Sequence, residues 1–262
     1  MLEGFAERRV AADGFDVRVV EGGSGPAAVY LHGGGGLHLD RSHALLSEMR
    51  RIVALELPGF GASPANERSQ NFDEIAATLA LAIAAAGVEP PYALIGTSLG
   101  GACALHVALA HPEQIESLVL ISPAAFRPAD WRPPPPELAA QVLYAHPERA
   151  EQREPPQAAV IEKQQRLMGR LLGSLDQDAL RARMHTLEVP TLVVFGTDDR
   201  LIPAAMGRIY REELPNCSYV LLYDAGHELG SDRPEAAAAL VGDFLERREA
   251  FVIGSDIVAV AP

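Results

Sequence analysis

A serine set between glycines, a late histidine and a pair of adjacent aspartates are the residues of this chain best suited to nucleophilic chemistry. Gly96-Thr97-Ser98-Leu99-Gly100 matches G-x-S-x-G. That pattern places a serine on a sharp strand-to-helix turn, with glycines where the two elements must come close. So short a pattern arises by chance in roughly one chain in ten of this length. Its setting carries more weight: residues 92–95 are an apolar, strand-like run, and residues 99–110 an apolar, helix-like one. A glycine-rich helix start without chemistry is the bland alternative.

A serine hydroxyl at its free pKa is a weak nucleophile and needs a base. Of the eight histidines, His227 lies in Ala225-Gly226-His227-Glu228, after a strand-like run and before a helix. Loops at the carboxyl ends of parallel strands gather active sites. His111 precedes Pro112 at a helix end and reads as a solvated cap. His106 sits inside the helix after Ser98 and reads as packed. His146 and His185 fall in a later segment, and His38 and His43 have no carboxylate or cysteine cluster to support a metal pair. A base needs an acid to fix its tautomer and stabilise the imidazolium. Gly196-Thr197-Asp198-Asp199 follows the strand-like run 191–195, and its two aspartates compete for the role. Ile121-Ser122-Pro123, after the preceding strand, supplies no acid.

An oxyanion formed on attack needs prepared N–H donors. Leu99, just after the serine, offers one, and the loop His32-Gly33-Gly34-Gly35-Gly36 is the expected source of a second. A phosphate or dinucleotide loop is the rival use of those glycines, but no convincing G-x-G-x-x-G with a downstream acid is present. Lys163 is the sole lysine, so neither a Walker-type loop nor an obvious Schiff-base site can be assembled. No cofactor and no metal are implied.

The elements that would position these groups alternate. Two strands near 6–11 and 15–21 flank Asp13-Gly14, a hairpin signal. Strand-like runs at 27–31, 52–57, 92–95, 117–121, 191–195 and 219–223 interleave with helix-like stretches at 72–87, 99–110, 204–213 and 234–248. Asn71 is a suitable N-cap and Gly87 a stop. The expected fold class is α/β, a mostly parallel sheet with helices on both faces. Residues 123–188 differ, being proline-rich first (Arg132-Pro133-Pro134-Pro135-Pro136) and then polar and helical. They read as an insertion over the sheet's carboxyl edge, so the domain expectation is a core of 1–122 and 189–262 with an insertion at 123–188. The tail 251–262 is expected as an edge strand or a dimer contact.

Composition bounds the function. At 262 residues, 48% hydrophobic and 22% charged, the chain has the make-up of a globular domain. A net charge of −13 argues against a nucleic-acid binder. Cys103 and Cys217 are far apart and form no C-x-x-C pair, which suits a reducing compartment. The first residues lack the apolar stretch of a signal peptide, and the longest apolar run, 75–88, is short of the roughly 20 residues of a membrane span. A cytoplasmic location is expected.

The ordered motifs together resemble the α/β-hydrolase superfamily over nearly the whole chain. Leu31-His32-Gly33-Gly34-Gly35 looks like that family's oxyanion strand end, and Leu57-Pro58-Gly59-Phe60-Gly61-Ala62-Ser63 like its second signature loop. Ser98 falls in its nucleophile elbow, and Gly226-His227 with Asp232-Arg233-Pro234-Glu235 resembles its closing histidine segment. The resemblance of Gly196-Thr197-Asp198-Asp199-Arg200-Leu201-Ile202-Pro203 to G-x-x-D-x-x-x-P implies Asp199 as the acid, and the same comparison puts the second oxyanion donor at Gly34. It also makes 123–188 the family's cap, a helical insertion that selects substrate, with Trp131, Leu143, Tyr144 and Leu167 as candidate lining residues beside ordinary packing. Relatives with aspartate at the elbow, haloalkane dehalogenases and epoxide hydrolases, are disfavoured by Ser98. Meta-cleavage C–C hydrolases share the glycine-rich loop but usually carry Gly-Pro-Gly there, Asn before the serine and an aromatic residue after the histidine. Here Gly35-Gly36-Leu37, Thr97 and Glu228 stand instead.

Three functions remain, in descending order. The first is hydrolysis of a small or medium carboxylic ester through an acyl-enzyme on Ser98. The second is C–C, lactone or thioester hydrolysis by the same triad. The third is ligand sensing on the same fold with little turnover. The expected partner is a small-molecule substrate, without nucleic acid or membrane, and a homodimer is compatible with the tail.

Overall fold

The computed structural model describes residues 2–149 and 156–251, and of Pro136 and Arg149 only the backbone. Eight strands form one sheet: β1 (Phe5–Ala12), β2 (Phe15–Gly22), β3 (Ala27–Leu31), β4 (Arg51–Leu55), β5 (Tyr92–Thr97), β6 (Ile115–Ile121), β7 (Thr191–Gly196) and β8 (Cys217–Leu222). Their spatial order is β1-β2-β4-β3-β5-β6-β7-β8. β1 and β2 pair antiparallel around Asp13-Gly14, both residues at positive φ (49° and 80°), the backbone a two-residue hairpin turn requires. β2 meets β4 antiparallel, and every pair from β4 to β8 is parallel.

The helices are α1 (Arg41–Leu46), α2 (Phe72–Ala85), α3 (Leu99–Ala110), α4 (Ala139–Leu143), α5 (Ala158–Gly173), α6 (Gln177–Met184), α7 (Gly207–Glu213), α8 (Leu229–Asp232) and α9 (Pro234–Arg247). The period-2 alternation of the strands sends side chains into two cores. On β3, Val29 and Leu31 join the core under α2 and α3, while Ala28 and Tyr30 face the core of α9. α2 begins where Asn71 Oδ1 accepts the Glu74 N–H, and the chain leaves it through Gly87 at φ +67°. One stripe of it, Ile75, Leu79 and Ile83, is at most 1% exposed. Each such side chain contributes about 1.5–3 kcal/mol of burial free energy.

Two sequence expectations need refinement. The helix expected at 204–213 is a 3₁₀ turn at Ala204–Met206 followed by α7. The tail expected as an edge strand or dimer contact lies, beyond Phe251, outside the described residues; Phe251 itself packs on Phe244 with ring centroids 5.5 Å apart. Within 123–188 the described helices are α4, α5 and α6, with 3₁₀ turns at Pro136–Leu138 and Pro147–Arg149; α6 packs beside α7, where Arg181 pairs with Glu213.

Candidate active site

The sharp turn after β5 is where the local chemistry concentrates. Ser98 has φ +55° and ψ −115°, a backbone strained for a non-glycine residue. Its surroundings hold it there: Ser98 N–H donates to Ile121 O (2.9 Å), and Ser98 O accepts from Ala102 (3.1 Å) and Ala124 (2.9 Å). The flanking glycines are needed because there is no room for a Cβ. At Gly96 it would overlap the Gly100 carbonyl, and at Gly100 the carbonyls of Leu31 and His32. β3, β5 and α3 thereby converge backbone to backbone, and Ser98 stands at the start of α3. Leu99 N–H is one of the donors that a helix N-terminus leaves without an intrahelical partner.

Asp199 and His227 come from the loops after β7 and β8. Asp199 Oδ1 accepts N–H groups from Leu201 and Ile202, both at 2.9 Å, which fixes the carboxylate. Its Oδ2 accepts His227 Nδ1–H at 2.9 Å, in a contact almost fully shielded from water. Asp198 turns away, accepting the Thr197 hydroxyl at 2.8 Å. His227 is 1% exposed, and its Nε2 has no hydrogen-bond partner among the described residues. Burial, the largest influence, disfavours the imidazolium. The charge and hydrogen bond of Asp199, aided by Glu228, outweigh it and raise the His227 pKa above the ordinary 6.5.

The glycine loop after β3 is shaped by His32. Its Nδ1–H donates to Gly33 O (2.6 Å), and its Nε2 accepts Leu57 N–H (2.9 Å). Burial pushes its pKa down to about 4, so it is the neutral form that spans these two backbones. Gly33 O also accepts Gly36 N–H at 3.2 Å. In a trans peptide the N–H points opposite to the C=O, so fixing the Gly33 carbonyl fixes the direction of Gly34 N–H as well. The loop lies against the serine: a side-chain carbon on Gly33 would fall 3.3 Å from Ser98 Cβ.

Two described parts of segment 123–188, here called its limbs, reach this region. In the first, Trp131 Nε1–H donates to Leu201 O at 2.9 Å, Arg200 donates to Gln141 O at 2.9 Å, and Glu228 N–H donates to Leu143 O at 3.0 Å. Trp131, Leu143 and Tyr144 are therefore brought to the acid and histidine loops, each partly buried. In the second, α5 lies over the glycine loops. Leu167 is 1% exposed and packs at Gly59, inside the core. Met168 and Gln164 instead approach the glycine loop after β3: a carbon on Gly34 would fall 2.6 Å from Met168 Sδ, and one on Gly36 3.7 Å from Gln164 Nε2. Sequence reasoning did not single out these two, although Gln164, Leu167, Met168 and Leu171 repeat at helical spacing on one face of α5. Lys163 donates to the carbonyls of Gly61 and Ser63, and Arg170 to those of Asn66 and Ser69, clamping the limb down.

Three further histidines have other partners. His106 packs under α2 with Nδ1 on Asp73 (2.8 Å), His111 ends α3, and His43 caps α1 with Asp40. Among the described residues no group of three or more His, Cys, Asp or Glu side chains is placed to hold a metal ion.

Comparison with known proteins agrees with this architecture. The model of the alpha/beta hydrolase family matches residues 28–240. A pimeloyl-[acyl-carrier protein] methyl ester esterase of Neisseria meningitidis serogroup A is 32% identical over 221 residues, 74% of this chain and 68% of that protein. A 2-hydroxy-6-oxo-6-(2'-aminophenyl)hexa-2,4-dienoic acid hydrolase of Metapseudomonas resinovorans is 24% identical over 93% of this chain and 92% of its own length. A solved bacterial membrane phospholipase A superposes with a TM-score of 0.72 at 28% identity, covering 93% of this chain and 86% of that one. The chain belongs to the alpha/beta hydrolase family and is a serine hydrolase.

Proposed function

We propose that Ser98, His227 and Asp199 are nucleophile, base and orienting acid, and that the reaction is hydrolysis of a small or medium carboxylic ester. One observation carries this most: the buried His227 imidazole is held through Nδ1 by Asp199, leaving Nε2 without a partner. In that tautomer Nε2 takes the proton of Ser98 Oγ as the oxygen attacks the ester carbonyl. Leu99 and Gly34 N–H groups receive the oxyanion. Nε2–H then protonates the leaving alkoxide, an acyl group remains on Ser98, and water activated by the same Nε2 releases the acid.

In this reading segment 123–188 is the cap of the site, with Trp131, Leu143 and Tyr144 as candidates for the pocket wall beside Met168 and Gln164; Leu167, packed in the core against Gly59, is withdrawn from that wall. The ester class is supported by the methyl ester esterase relatives. The C–C hydrolase relative keeps a second reaction in play, with the departures at Gly35-Gly36-Leu37, Thr97 and Glu228 against it. Both cysteines are free, which suits a cytoplasmic setting, and no helix among the described residues is long and apolar enough to cross a membrane.

Labelling with a fluorophosphonate, with Ser98→Ala beside the wild type, is the deciding experiment. A label lost in the variant, followed by turnover of acyl esters over C–C substrates in a panel, supports the reading. A label that survives Ser98→Ala refutes Ser98, and turnover of the C–C substrates alone refutes the ester assignment.

A further inference from the structure

The histidine loop is tied to the covering segment by a carboxylate that the catalytic scheme above does not use. Asp232, at the end of α8, is 7% exposed. Its Oδ2 accepts N–H groups from Gly226 (2.7 Å) and Ala145 (2.9 Å), and its Oδ1 faces the N–H of His146 (3.3 Å). Among the described residues its hydrogen-bond donors are backbone amides and none is a cationic side chain. Gly226 and Ala145 therefore share one carboxylate oxygen, although one follows β8 and the other lies within 123–188.

The two backbones also touch directly. A Cβ at Gly226 would fall 2.6 Å from Ala145 N, 2.8 Å from Leu143 O and 2.8 Å from Tyr144 C. On the other side of His227, Glu228 N–H donates to Leu143 O. Both chain neighbours of the histidine are thus docked on residues 143–146. A side-chain pair reinforces the joint: His146 Nε2 lies 2.8 Å from Asp224 Oδ1.

We propose that Asp232 is a positioning residue: by holding Gly226 and the 145–146 amides on one carboxylate, it makes the cap's first limb and His227 a single rigid unit. It touches no reacting atom and acts through the loop. A shift of about 1 Å in a catalytic group is enough to cost two orders of magnitude in rate. Loss of this joint therefore falls on the chemical step. Binding of a short ester, which needs no catalytic alignment, is expected to change less than turnover. This inference depends on the Ser98–His227–Asp199 reading.

The test is turnover of a short p-nitrophenyl ester, with active Ser98 counted by fluorophosphonate titration and folding followed by circular dichroism. Asp232→Ala is expected to lower kcat per titrated serine at least tenfold with KM within threefold of wild type. Asp232→Asn is expected to lower it less, since an amide oxygen can still serve Gly226 and Ala145. A merely structural role would lower the melting temperature and the titrated fraction but leave kcat per active serine unchanged. A kcat for Asp232→Ala within twofold of wild type would overturn the proposal. If that variant does not fold, Ala145→Pro decides. It removes one of the three donors and sets a ring carbon where the N–H met Asp232 Oδ2, which parts the joint, while the extended Tyr144 (φ −112°, ψ 142°) accepts a following proline. Its kcat is expected to fall at least threefold, and an unchanged value would overturn the proposal in the same way. Failure of the wild type to label, or a label surviving Ser98→Ala, would instead refute the triad before any variant is compared.

Discussion

The raised pKa of His227 makes a prediction about pH. Its net cause is the nearby Asp199 carboxylate, working against burial. A base must be neutral to accept the serine proton, so activity is low where the imidazole is charged and rises as pH passes through its pKa. The rise in kcat/KM should be centred above the ordinary 6.5; a profile flat between about pH 5 and 8 would remove His227 from the role. The paired aspartates divide sharply in the structure. Asp199→Asn should cost about 10²–10⁴-fold in kcat, because an amide facing Nδ1 favours the wrong tautomer. Asp198→Asn, which alters only a contact with the Thr197 hydroxyl, should stay within about twofold in the same assay. His32 works in the opposite protonation regime to His227: with its pKa near 4, it stays neutral wherever His227 titrates, and the loop it shapes does not change as the base does.

The elbow depends on elements meeting without side chains between them. Gly100→Ala would drive a methyl into the carbonyls of Leu31 and His32, so α3 must move off β3 and carry Ser98 with it. Overpacking of this kind costs about 1–3 kcal/mol. A urea melt should show that loss, and kcat per folded protein should fall more than tenfold. A variant as stable and active as wild type would mean that the contact yields easily. This part of the molecule was legible in the chain itself, because a glycine on each side of a serine, an apolar strand before and an apolar helix after are all local signals. The hairpin at Asp13-Gly14 and the Asn71 cap were legible for the same reason. What sequence reasoning missed is non-local. Asp232 reaches Ala145 across 87 positions, and Met168 reaches Gly34 only because Lys163 and Arg170 bind carbonyls of the 61–69 loop. A carboxylate whose partners are backbone amides leaves no complementary residue type in the sequence to betray it. Trp131 is a lining candidate by its place in segment 123–188, but the Nε1–Leu201 contact that holds it beside the acid loop was not foreseeable from type or spacing.

At the scale of the molecule, described parts of segment 123–188 meet the loops that follow β3, β4, β7 and β8. The two limbs use different means. The first joins the acid and histidine loops chiefly through backbone groups and the Asp232 carboxylate, and the second joins the glycine loops through two cations on neutral carbonyls. The second anchor has an unusual consequence, because Lys163 is the only lysine in 262 residues. An amine-directed reagent meets one side chain besides the α-amine, and that side chain is the clasp between α5 and the carbonyls of Gly61 and Ser63. The protein therefore carries a single native handle whose chemical accessibility registers the docking of that limb, without any engineered label.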